Sequence, residues 1–248
     1  MRPPALTFNA WLRWDVVRRR LAELDGVQSV LEVGVGEGAL GTRLAAEYDY
    51  TGVEPDARSL ERARARLAVV GRGQVVQGDV SALDPGKTFD LVCAFEVLEH
   101  VEDDLGALRA WRARVRDGGY VLLSVPAYQA QWGAADVKAG HMRRYDPKDL
   151  DRVLRGAGFD VVAIDHYGFP LGYVLQTGRN LLARRGQGSP DVAEATAKSG
   201  RWLQPPDELG WATKAATWPF RALQRSFARG PRGTGLVALA RNAISAAS

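Results

Sequence analysis

Two spacings of apolar residues alternate along the chain. Short, nearly continuous apolar runs at 29–33, 50–54, 74–79, 89–95 and 118–126 read as strands buried on both faces, the mark of a parallel sheet. Between and after them, at 39–47, 55–70, 103–116 and 147–157, apolar residues recur three or four apart, as on the inward face of a helix. A sixth strand is predicted at 159–166 and a seventh at 235–241. A helix over 8–24 precedes the first strand, with Phe8, Trp11, Leu12, Val16 and Leu21 at helical spacings. Such alternation predicts an α/β fold: a doubly wound sheet of seven strands, mostly parallel, with helices on both faces.

The same pattern divides the chain. Residues 1–27 form an N-terminal helical cap, 28–168 the alternating strand–helix core, 169–234 an insertion, and 235–248 the final strand and tail. The insertion is too long for a hairpin and contains two helical stretches, 169–185 and 211–227, around a Gly/Ser/Pro/Ala-rich loop at 186–200 followed by Trp202. A lid over the substrate is the leading expectation for it, and a dimer contact the competing one. Aromatic residues mixed with Arg179, Arg184, Arg185, Arg221, Arg225 and Arg229 add a third reading, peripheral contact with lipid.

The first strand breaks into Glu32-Val33-Gly34-Val35-Gly36-Glu37-Gly38. Alternate glycines strip a tight turn of side chains, so a ligand can lie against the backbone while the next helix aims free N–H groups at it. That is a nucleotide-cofactor site at the carboxyl edge of the sheet. Two cofactors compete for it. Gly34-x-Gly36-x-x-Ala39 satisfies the loose dinucleotide fingerprint, which would make the chain an NAD-dependent oxidoreductase. Glu32 argues against this, because its carboxylate would repel a pyrophosphate but suits a sulfonium cofactor carrying an ammonium group. Glu54 ends the second strand, eighteen residues after Gly36, where a carboxylate can accept both ribose hydroxyls in either case.

The pattern Glu32-x-Gly34-x-Gly36-x-Gly38 resembles motif I of the class I S-adenosylmethionine-dependent methyltransferases, and the resemblance continues in order over residues 28–166. Gly78-Asp79 closes the third strand. Phe89 through Val101, with Phe95-Glu96-Val97-Leu98-Glu99-His100 at its end, resembles the fourth strand and turn of the ubiquinone and menaquinone biosynthesis methyltransferases, and Gly118 through Pro126 their fifth strand. The resemblance implies a Rossmann-like core whose last strand runs antiparallel, with S-adenosyl-L-methionine as cofactor. It implies that Glu32, Gly34, Gly36, Gly38, Glu54 and Asp79 hold the cofactor, that Val80 meets the adenine ring, and that Phe95 and Glu96 complete the pocket. The implied reaction is methyl transfer to a small-molecule acceptor by direct displacement, oxygen before nitrogen before carbon. A protein that binds the cofactor without transferring would carry the same residues, so that reading stays beside it.

The three histidines all fall near the carboxyl edge of the predicted sheet: His100 after the fourth strand, His141 in the loop after the fifth, His166 ending the sixth. Alignment supplies much of the acceleration of methyl transfer, yet an acceptor that must lose a proton gains from a base. His141 is the first candidate, within a segment resembling the His-x-Arg-x-Tyr of small-molecule members; anchoring its loop is the alternative role. His100 is the second. Arg143, Arg144, Tyr145 and His166 are candidate substrate contacts, since paired guanidiniums clamp a carboxylate or phosphate well. One arginine is equally expected to pair with Asp136, Asp146 or Asp149.

Composition narrows the picture further. The chain has 248 residues, 46% of them hydrophobic, enough to bury a substantial core. One cysteine, Cys93, sits in an apolar strand, which excludes an intrachain disulfide. No signal-peptide core or run of eighteen apolar residues is present, so a cytoplasmic protein without a membrane span is expected, as monomer or homodimer. No metal is expected: Asp103 and Asp104 read as first-turn acids of a helix rather than ligands. Nucleic-acid substrates are disfavoured, because neither an Asp/Asn-Pro-Pro-aromatic signature nor a Pro-Cys pair occurs, and the net charge of +4 is modest.

Overall fold

The computed structural model describes residues 4–185, 206 and 210–243; the loop at 186–200 and Trp202 lie outside them. Seven strands form one sheet: β1 (Ser29–Val33), β2 (Asp49–Glu54), β3 (Gln74–Gln77), β4 (Phe89–Phe95), β5 (Val115–Pro126), β6 (Phe159–Tyr167) and β7 (Gly235–Asn242), in the order β3-β2-β1-β4-β5-β7-β6. All are parallel except β7, which runs antiparallel between β5 and β6, with Leu122 opposite Leu239 and Ile164 opposite Ala238. Helices α1 (Phe8–Leu21), α2 (Gly41–Ala45), α3 (Ala57–Val70), α4 (Asp104–Arg112), α5 (Ala134–Ala139), α6 (Pro147–Gly156), α7 (Leu171–Arg185) and α8 (Gly210–Arg225) surround it.

Successive strand residues feed two separate cores. Val30, Leu91, Cys93, Leu122 and Leu239 pack with Leu12 and Val16 of α1, Leu44 of α2 and Leu60 and Leu67 of α3. Leu31, Val92, Ala94, Leu123 and Ala238 pack on the opposite face with Leu108 and Trp111 of α4 and Leu150 and Leu154 of α6. Two buried faces are the reason the strands read as continuous apolar runs rather than alternating ones. The chain reverses direction across the sheet between β1 and β4, and that switch point is where a ligand crevice is expected.

Element boundaries follow local chemistry. Asp56 caps α3 by accepting from the Ser59 amide at 2.8 Å, and Gly71 ends it in the left-handed region at φ 78°. Asp103 caps α4 through the Gly106 amide at 2.8 Å, its predicted role. Helix α2 is shorter than its predicted span of 39–47, because residues 34–40 are occupied by the glycine turn. Helix α5 was not foreseen: of its six residues only Asp136 and Ala139 are buried, so it carries no apolar periodicity. The Asp136 side chain stabilises its start by accepting from the Gly133 amide at 2.8 Å.

The two halves of the insertion diverge. Helix α8 packs against α1: Trp11 Nε1 donates to Thr213 Oγ1 at 3.2 Å, and Arg225 Nη2 lies 2.8 Å from the buried Asp15 carboxylate. Trp11 is also ringed by Arg43, Lys214 and Arg221, whose cationic centres stand 5.3–5.8 Å from its centroid. Helix α7 lies over the carboxyl end of the sheet and is tied to α5 by Asn180, whose Oδ1 accepts from the Ala135 amide at 2.9 Å. Among the described residues no helix is long and apolar enough to cross a membrane.

Candidate active site

A cavity of about 920 Å³ opens at the carboxyl ends of β1, β2 and β4, large enough for a nucleotide-sized cofactor with a small acceptor beside it. One wall is the glycine turn. Gly34 and Gly36 stand at φ 72° and 56°, and a Cβ on Gly34 would come within 2.5 Å of Val97 Cγ2. Gly38 does not line the cavity; a Cβ there would approach Ala63 Cα to 3.0 Å, so this third glycine lets α3 pack against the turn.

Glu54 closes the turn from β2. Its Oε2 accepts from the Gly36 amide at 2.7 Å and its Oε1 from the Asp56 amide at 2.9 Å. Each oxygen accepts one of these bonds and has a second lone pair left for a hydroxyl donor. Asp79 sits past β3, held below the usual carboxylate range by hydrogen bonds from Ser81, and Val80 lines the wall beside it. Glu32 is 2% exposed and accepts from the Tyr50 hydroxyl at 2.6 Å. Burial pushes its carboxyl up to about 8. Phe95 and Glu96 also line the cavity, with Glu96 in the left-handed region at φ 58°. Its carboxylate accepts from Ser124 Oγ at 2.9 Å and Tyr167 Oη at 3.0 Å, and stands 3.4 Å from Arg13 Nη1. Burial works against its charge, but Arg13 and these hydroxyls outweigh it and keep the group ionised.

The opposite wall carries the two leading histidines. His141 Nδ1 lies 2.8 Å from Asp136 Oδ1, and Nε2 lies 3.9 Å from Glu99 Oε1. His100 packs edge-on against the His141 ring, centroids 4.8 Å apart, with Nδ1 3.2 Å from the Gly140 carbonyl. Burial, and then His141, pull His100 down to about 4, so it is neutral at ordinary pH. Glu99 is fully buried with neither carboxylate oxygen hydrogen-bonded; burial and the nearby Glu96 push it well above the carboxylate range. Donor atoms of Glu99, His100 and His141 lie within 4.8 Å of one another, a grouping not foreseen from the sequence.

The remaining predicted residues separate. Arg144 lines the cavity, its Nε 2.8 Å from Asp136, one of the three acids expected as a partner. Arg143 turns away from the cavity, toward Asp104 at 2.8 Å and the Glu102 carbonyl. Tyr145 is buried beneath the wall with its hydroxyl on Asp104 at 2.8 Å, which fixes the loop instead of touching the cavity. His166 also stands outside: β6 places it under Tyr128, whose hydroxyl is 2.8 Å from Nε2. Arg143, Tyr145 and His166 therefore do not line this cavity, because the acids and the tyrosine that neighbour them draw their polar ends elsewhere. Sequence reading missed Arg13 from α1, Tyr167 from β6, and Gln176 and Arg179 from α7. The elements that carry them were predicted, with β6 ending one residue short of Tyr167, but apolar spacing marks the core-facing side and is silent on which polar residue looks into a cavity.

A doubly wound sheet with a glycine turn after β1, an acid ending β2 and an acid after β3 defines a nucleotide-cofactor protein of the class anticipated from the sequence. Comparison with known proteins narrows it. Residues 8–164, well over half of the chain, match the methyltransferase domain family, and the chain belongs to that family. A probable S-adenosylmethionine-dependent methyltransferase of Mycolicibacterium smegmatis is 31% identical over 159 residues, 62% of this chain and 60% of that protein. A ubiquinone biosynthesis O-methyltransferase of Pectobacterium carotovorum is 32% identical over 155 residues, 59% and 64% of the two chains. The match thus spans just under two thirds of these relatives. Among solved structures, the N-methyltransferase NodS of Bradyrhizobium japonicum, in complex with S-adenosyl-L-homocysteine, superposes with a TM-score of 0.58 at 16% identity, covering 96% of this chain and 88% of that one. The [4+2]-cyclase SpnF has the same fold, with a TM-score of 0.57 at 20% identity over 93% of this chain and 81% of that one. The family's cofactor is S-adenosylmethionine, which sets the dinucleotide reading aside.

Proposed function

We propose that this chain transfers a methyl group from S-adenosylmethionine to a small-molecule acceptor, preferring a hydroxyl oxygen to nitrogen or carbon. The observation that carries the reading is the division of one cavity between a cofactor wall (Gly34, Gly36, Glu54, Asp79, Val80) and a wall bearing His100, His141, Arg144 and Arg179. When bound, the cofactor supplies an electrophilic methyl carbon on a sulfonium, whose carbon–sulfur bonding pair leaves with the sulfur. Glu54 is set to receive the ribose hydroxyls, Asp79 and Val80 the adenine, and Glu32 the ammonium of the methionine end. Arg13, on the same side as Glu32 and Glu96, offers a guanidinium to the carboxylate there.

His141 is the base in this reading, with Asp136 as its positioning residue. Asp136 accepts from Nδ1–H, which leaves the Nε2 lone pair to take a proton from the acceptor hydroxyl as the new oxygen–carbon bond forms. His100, neutral and packed edge-on against it, cannot compete for that proton at ordinary pH.

The test is transfer of labelled methyl from S-adenosylmethionine across a panel of phenols, alcohols and amines. His141→Ala should lower turnover at least tenfold, about 1.4 kcal/mol of barrier, with S-adenosylhomocysteine affinity unchanged. Equal turnover in the mutant would remove His141 as the base. A base acting alone also predicts the same rate with and without a chelator, whereas loss of rate on chelation would assign Glu99, His100 and His141 to a cation. Failure of every acceptor despite cofactor binding would favour a non-transferring role, a live outcome because the same fold occurs in a protein named as a cyclase.

A further inference from the structure

Four arginines line the cavity, and three of them have a counter-charge. Arg13 stands 3.4 Å from Glu96, Arg66 lies 3.7 Å from Glu37, and Arg144 is 2.8 Å from Asp136. The fourth, Arg179, makes no ion pair or hydrogen bond among the described residues. Burial pulls its guanidinium below the ordinary arginine range, while Glu96 and Asp136 act on it only through space. Neither acid can turn to meet it. Glu96 is committed to Arg13, Ser124 and Tyr167, and Asp136 to His141, Arg144 and the Gly133 amide.

The helix that carries Arg179 is also held in place. Gly172, Leu175, Gln176 and Arg179 follow one another at helical spacing on the face of α7 that lines the cavity. One residue further on, Asn180 ties α7 to α5 through the Ala135 amide, and Gln176 Oε1 accepts from Arg144 Nη1 at 3.2 Å. A guanidinium stays charged at any ordinary pH, and its planar fork matches an oxyanion with two oxygens. Half-buried in a cavity without a counter-ion it is penalised, and an incoming anion relieves that penalty where a neutral molecule does not.

We propose that the acceptor carries a carboxylate or phosphate monoester, and that Arg179 receives it and so selects anionic acceptors over neutral ones. The proposal rests on the cavity holding S-adenosylmethionine and an acceptor together. It assigns Arg179 to the acceptor because the arginine is on the helix tied to α5 and the His141 wall, whereas Arg13 borders Glu32 beside the glycine turn.

The experiment is calorimetric titration of S-adenosylhomocysteine-saturated protein with 4-hydroxybenzoate, phenyl phosphate and neutral 4-hydroxybenzamide, for wild type and Arg179→Gln. At least one anion should bind tenfold or more tightly than the amide, and the two anions show whether carboxylate or phosphate is meant. Arg179→Gln should erase the preference and leave S-adenosylhomocysteine affinity within twofold, which also shows that the variant is folded. The absence of any anion preference in the wild type overturns the proposal, as does a preference that survives Arg179→Gln. A variant that loses S-adenosylhomocysteine affinity overturns it too, by moving Arg179 to the cofactor. If the wild type binds no S-adenosylhomocysteine, it is the cofactor reading that has failed.

Discussion

At the scale of the residue, the site is governed by what burial does to charge. Glu32 sits beside the glycine turn with one hydrogen bond, from Tyr50, and its carboxyl is raised to about 8, so the cofactor-free protein holds it protonated near neutrality. An ammonium brought against it would favour the ionised form, and cofactor binding should therefore release a proton. Calorimetry of S-adenosylhomocysteine binding at pH 7 in buffers of different ionisation enthalpy should show release approaching one proton, abolished in Glu32→Gln. No release in the wild type would place the ammonium elsewhere. This environment was only partly legible: Glu32, Glu54 and Asp79 could be read from their positions at strand ends, whereas the Tyr50 hydroxyl and the buried Glu99 follow from packing between elements distant in sequence.

At the scale of the element, β1, β4 and the central part of β5 were legible because burial on both faces leaves an unbroken apolar run with acids and glycines at its ends. Helix α5 was not, since six residues with two buried positions have no period to read. Nor did the division of labour in the insertion show in the chain, as α7 and α8 carry similar mixtures of apolar residues and arginine. Their partners differ in space: α7 meets the cavity, α8 meets α1. Trp11 is the centre of the second contact, 7% exposed, bonded to Thr213 and flanked by three cations. Trp11→Ala should cost about 3 kcal/mol of stability in urea denaturation. It should also weaken S-adenosylhomocysteine binding, because α1 brings Arg13 to the cavity. Unaltered stability would mean that α1 contributes little to the fold.

At the scale of the whole molecule, several buried groups tie stability to pH. The folded state keeps a proton on Glu32 up to about 8 that an unfolded chain loses near 4.5, and Glu99 is shifted the same way. Their contribution is present below 4.5 and is lost as pH rises through the folded value. His100 acts oppositely: with a folded value of about 4 against 6.5, its contribution grows as pH rises over that interval. The effects offset one another below pH 6.5, and above it only the acids act. Cofactor-free protein should thus lose stability from pH 6.5 to 8, by at most about 1.4 kcal/mol per pH unit for each such proton. Glu32→Gln should flatten the slope; a wild-type curve flat or rising over that range would contradict the protonated buried acids.

The whole fold serves one crevice, and the central claim is that this crevice holds S-adenosylmethionine. Calorimetric titration with S-adenosylmethionine, S-adenosylhomocysteine and NADH, beside a Glu54→Ala variant, tests it most directly. Micromolar binding of the first two, none of NADH, and a loss of at least tenfold in Glu54→Ala are the predicted results. Binding of NADH alone, or S-adenosylmethionine affinity indifferent to Glu54, would contradict the account.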